Sequence, residues 1–114
     1  MIVRVMLKDK TIVPELLVAD KFTARLVGLM FKKSLPGNSG LMIPKCNWVH
    51  TLFMRFPLDI VYLNKDLSVC HIDEDISPWR FCLPVIKAEN VLELNAGTVE
   101  AVSLKKGDVL KCIN

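Results

Sequence analysis

The sequence predicts an α+β fold, a small β-rich sheet or barrel-like domain with one main helix over about residues 20–32 and a second, short helix over about 98–103. Three observations predict it. Short strand-like stretches bounded by turn residues recur along the chain. One segment, "KFTARLVGLMF", repeats its apolar residues at helical spacing. A length of 114 residues suits a single domain, 1–114, with room for one core and not for two.

The elements follow in order. Residues 2–7 and 11–18 read as the two strands of a hairpin, with "KDK" as its turn. Asp20 stands where a helix N-cap belongs, and Phe22, Leu26, Leu29 and Met30 then recur at i, i+4, i+7 and i+8. Lys32 and Lys33 complement the C-terminal dipole, and Pro36 and Gly37 end the helix. Gly28 inside it costs about 1 kcal/mol relative to Ala, which implies a close backbone neighbour. "SLPGNSG" is a loop and "LMIP" a short strand. Further strands are expected at 48–55, 58–63, 67–73 and 90–95. "SPWRFCLPV" has two prolines within seven residues, so it is an ordered connection or lid and not a central strand. "TVEAVSL" forms the second helix with Thr98 as its cap, and "DVLKCI" closes the chain as a strand.

Composition removes several function classes. Lys and Arg number 15 against 12 acidic residues, a net charge of +3, and the basic residues are scattered, so no nucleic-acid stripe is predicted. Arg4 and Lys8 interrupt the N-terminal apolar run before a secretory signal can form, and no run reaches the ~18 residues of a membrane span. Cys46, Cys70, Cys82 and Cys112 include no C-x-x-C pair and read as reduced, mostly buried thiols of a cytoplasmic protein. The hydrophobic fraction of 52% predicts apolar surface that meets a ligand, a protein partner or a second copy in a homodimer.

The stretch "CNWVHTLFMRFPLDIVYLN" concentrates the chemistry. Cys46, His50 and Met54 are all soft or borderline metal ligands. On an extended strand, however, His50 and Met54 stand about 13 Å apart, too far for one ion, and no metal or cofactor is predicted. Asp59 lies in "LDIVYL", apolar on both faces, so its carboxylate is buried and needs a partner. If "NKD" or "KDL" forms the following hairpin loop, parity puts His71 on the face of Asp59 and predicts a contact between them. The same alternation sends Cys70 away from His71. Cys46 with His50 remains a candidate for Cys/His chemistry. Arg55 and Arg80, the latter beside Trp79, could hold a carboxylate or phosphate, or pair with Glu93, Asp73 or Glu74. No Gly-rich phosphate loop or nucleophile elbow is present.

"RLVGLMFKKSLPGNSGLMI", "VHTLFMRFPLDIVYLNKD", "SPWR" and "VLELNAGTVEAVSLKKGDVL", taken in that order, resemble the family known as domain of unknown function 192, or uncharacterised protein family 0127. The resemblance covers roughly residues 16–112. It implies a compact β-rich α+β domain and supplies no established activity or catalytic residues. The family pattern falls on Arg25, Gly28, His50, Met54, Asp59, Trp79, Arg80, Glu93, Gly97, Gly107 and Asp108. Leu67 stands where family members often have Gly in the hairpin.

These readings converge on a non-enzymatic accessory module that binds a small ligand or protein partner around His50, Arg55, Trp79 and Arg80. The alternative is a small hydrolase- or transferase-like enzyme using Asp59 with His50 or His71, and Cys46 as a candidate nucleophile.

Overall fold

The computed structural model describes residues 2–18, 39–51 and 54–114. Its strands are β1 (Ile2–Leu7), β2 (Lys10–Val18), β3 (Ser39–Pro44), β4 (Leu58–Leu63), β5 (Val69–Ile76), β6 (Asn90–Asn95) and β7 (Leu110–Ile113), with the helix α1 (Thr98–Ala101) before β7. They form one sheet in the order β5-β4-β6-β3-β2-β1-β7. The sheet curls until its two edges meet: Ser68 bridges Val109, Val69 N–H donates to Asp108 O at 2.8 Å, and Leu110 N–H donates to Leu67 O at 2.9 Å. Beyond this seam β5 and β7 separate, leaving a half-barrel.

The α+β class with a main helix is thereby corrected. Among the described residues the fold is almost all β, and its one helix spans four residues. The expected helix over 20–32, with its Asp20 cap and Gly28, lies outside the described residues.

Period-2 alternation divides the core into two layers. Val5, Leu16, Met42, Val61, Leu92 and Leu94 turn to the inside of the curl and meet Val99 and Leu104 from α1 and its exit. On the opposite face Leu41, Ile43, Ile60, Tyr62 and Val91 are covered by Val49, Met54, Phe56, Cys82 and Ala88 from two long connections. The middle strands are therefore buried on both sides, and all six residues of β4 are buried. Gly40 lets β3 approach β6 closely, since a Cβ there would lie 2.7 Å from Leu94 Cδ2 and 3.2 Å from Glu93 O.

β4 and β6 occupy the predicted ranges, and β1 and β2 form the predicted antiparallel hairpin. Where a strand is expected at 48–55, the described residues, 48–51 and 54–55, are instead irregular, with one bridge among them, His50 to Phe81. α1 also starts differently. Its N-cap is Gly97 at φ 95°, not Thr98, and the accepting oxygen comes from Asp59 of β4.

Candidate functional site

Two connections, 45–57 and 77–89, lie together over the outer face of β4 and β6, and Thr51 fastens one to the other. Thr51 is fully buried. Its hydroxyl donates to Ser77 O at 2.7 Å and accepts from Arg80 N–H at 2.9 Å. Its backbone donates to Arg80 O and accepts from Trp79 N–H, both at 2.8 Å. Cys82 N–H to Val49 O and Val85 N–H to Asn47 O continue the attachment at 3.0 and 2.9 Å. A proline-rich segment unable to join the sheet is thus held in place by a ladder of its own.

This fastening holds apolar side chains out in solvent. Trp79 is 59% exposed, Phe81 68%, Leu83 84% and Ile86 93%. Across the seam the His50 ring lies between Trp48 and Phe81, with centroids 6.1 and 6.0 Å away. His50 Nδ1 is buried and has no hydrogen-bond partner among the described residues. Arg55 is exposed on the bend before Pro57. Of the four predicted binding residues, His50 joins the aromatic row, while Trp79 and Arg80 stand on the facing connection, and Arg55 lies apart from the cavity beside them.

That cavity, of about 670 Å³, is lined by Cys70, His71, Asp73 and Ile76 of β5, by Arg80–Lys87 and by Lys106. His71 Nε2 is 2.8 Å from Asp73 Oδ1, and the buried Tyr62 donates its hydroxyl to Asp73 Oδ2 at 3.1 Å. Burial, followed by the proximity of Cys82 and Asp73, pushes the Tyr62 phenol well above its ordinary range, so it remains a donor. Burial likewise raises the Cys82 thiol; its hydrogen bond to Tyr62 and the Arg80 charge oppose this, while Asp73 and Glu93 add to it. Cys82 is consequently a poor thiolate at neutral pH.

The predicted Asp59–His71 contact is replaced by two separate arrangements. Asp59 is fully buried, as expected, but both its oxygens go to backbone amides: Asp75 at 2.9 Å, Gly97 at 3.0 Å and Val99 at 3.0 Å. His71 pairs with Tyr62 across the strands, their ring centroids 5.5 Å apart. The cause is a bulge. The loop is the "KDL" alternative, with Leu67 at φ 63° in the position that suits glycine. Leu63 then opposes Val69 and Tyr62 opposes His71, so Cys70 is an extra residue and parity reverses after it. For the same reason Cys70 and His71, expected on opposite faces, line the same cavity.

The other candidates are dispersed. Cys46 donates its thiol to Trp48 O at 2.9 Å, and Met54 is buried in the outer core. Among the described residues no three of His, Cys, Asp or Glu gather into a metal cage. Sequence reasoning missed Thr51, Tyr62 and Phe81 as site-forming residues. "HT" signalled the first, but nothing in one-dimensional spacing revealed that Asp73 faces the buried tyrosine, because the bulge at Cys70 decides it.

A curled, nearly all-β sheet carrying a pinned aromatic connection defines the class of protein. The chain belongs to the DUF192 family, described as "Uncharacterized ACR", whose profile matches residues 3–112. A UPF0127 protein of Pyrococcus furiosus is 35% identical over 111 residues, covering 91% of each chain. Two crystal structures share the fold. A candidate transcription regulator from Sinorhizobium meliloti superposes with a TM-score of 0.78 at 23% identity, covering 97% of this chain and 92% of its own. A protein of unknown function from Novosphingobium aromaticivorans gives 0.76 at 24% identity, with 97% and 84% covered.

Proposed function

We propose that this protein is a non-enzymatic binding module, which captures a small ligand or protein partner on the surface formed by His50, Trp79, Arg80 and the apolar residues that follow them. One observation carries the reading. Of the eight large apolar side chains exposed among the described residues, four, Trp79, Phe81, Leu83 and Ile86, fall within eight residues of one connection, and that connection is fixed by backbone bonds to 47–51. Apolar surface held rigidly in water loses about 25 cal/mol per Å² of potential burial, and a contiguous patch of it marks an interaction site.

The test is a fluorescence titration with the dye 8-anilino-1-naphthalenesulfonate on the native chain and on W79S/F81S/I86S. The reading expects saturable binding by the native chain, and a variant that melts cooperatively but binds about tenfold more weakly or worse. A variant that no longer folds would make these residues core, and undiminished dye binding would place recognition elsewhere.

A second reading, an acid–base enzyme, is favoured by the 2.8 Å His71–Asp73 pair on the cavity wall. It expects hydrolysis of an activated ester such as p-nitrophenyl acetate that disappears in H71A. Turnover no faster in the native chain than in H71A would eliminate it.

A further inference from the structure

The lining of the cavity beside the pinned connection divides by chemistry. Ile76, Phe81, Leu83 and Ile86 supply apolar lining, and Arg80, Lys87 and Lys106 supply positive charge. Among the described residues none of these three cations has a carboxylate within 4.0 Å. Asp73, the one carboxylate among the described residues of the lining, is engaged by His71 and by the Tyr62 hydroxyl. The available charge is therefore positive, and it borders an apolar surface already exposed to water.

From this division we infer that the cavity takes a small amphipathic anion, a carboxylate head with an aliphatic tail. The inference rests on the binding-module reading and specifies its ligand. The head lies among Arg80, Lys87 and Lys106, where charge-assisted hydrogen bonds are stronger than neutral ones. The tail covers Phe81, Leu83 and Ile86, removing apolar area from water. A volume of about 670 Å³ falls inside the ~300–1,000 Å³ usual for small-molecule sites. A cationic amphiphile would face three like charges, and a bare inorganic anion would leave the apolar lining wet. A nucleic acid would need a longer basic track than three residues.

The experiment compares octanoate with 1-octanol, which share a tail and differ at the head, by amide-resolved NMR titration of the full chain. Octanoate should bind at one saturable site, with shifts at residues 70–73, 80–87 and 106, and about tenfold or more tighter than 1-octanol. In R80Q/K87Q/K106Q octanoate should weaken to the level of 1-octanol, while 1-octanol itself changes less than about twofold. Equal affinities for the two probes, or a variant with unchanged preference for octanoate, would overturn the anion assignment while leaving an apolar binding surface standing. Absence of octanoate binding would overturn the assignment outright, and the dye titration tests the underlying reading separately.

Discussion

Both carboxylate oxygens of Asp59 lie in the core, accepting N–H groups from a bulge in β5 and from the start of α1. A partnerless carboxylate would be too costly to bury there; three amide donors make it the joint between β4, β5 and α1. D59A leaves those donors without an acceptor and should cost about 3–5 kcal/mol, read from the urea midpoint. D59N should cost less than D59A but remain destabilising, because its amide nitrogen meets an N–H where an acceptor is needed. The buried acids predict the response to alkali. Cys82 and Cys112 are held neutral above the ordinary thiol value of 9.0, and Tyr62 above 10.0, in each case chiefly by burial. In the unfolded chain they ionise at those ordinary values, so their contribution to stability is complete below about pH 9 and falls as pH rises further. Urea titrations at pH 7, 9 and 10 should show this decline, and C112A should lessen it.

At the scale of elements, the connection 77–89 owes its shape to Thr51 more than to any contact of its own exposed side chains. T51V keeps the volume and removes one donor and one acceptor, and should cost about 2 kcal/mol. It should also speed amide exchange at Trp79 and Arg80, the two N–H groups that Thr51 receives. G40A tests a different joint. The added methyl must displace Leu94 and crowd Glu93 O, for a cost of about 1–3 kcal/mol in thermal unfolding. The strands β4 and β6 were legible because each is a short apolar run bounded by turn residues. β5 was legible as a strand but not in its register. The extra Cys70 and Asp75 at φ 52° mark bulges that no alternation pattern announces; the first moves His71 from Asp59 to Tyr62, and the second brings the Asp75 amide to Asp59. The segment at 48–55 shows the reverse failure: its strand-like composition reflects burial of Val49 and Met54 against the sheet's outer face.

Over the whole molecule, the curl of the sheet encloses one core layer and leaves the other beneath the two long connections. Its inner core is sealed by the seam between 67–69 and 107–110, and the amides of Val69, Gly107 and Leu110 should be among the slowest-exchanging outside the strand interiors. The seam was not legible in the sequence, because it joins turns forty residues apart that carry no pattern beyond Leu67 and Gly107. The outer core was legible as hydrophobicity alone. What composition could say was that apolar surface would be left over, and the fold gathers half of its exposed large apolar side chains, among the described residues, on one connection beside a cavity whose lining includes three cations. If the protein binds as proposed, this connection is its recognition surface. The most direct measurement is a backbone amide shift map of the native chain titrated with 8-anilino-1-naphthalenesulfonate. Shifts clustered at 48–51 and 79–87 are predicted; shifts scattered over the sheet, or none at saturating dye, would contradict it.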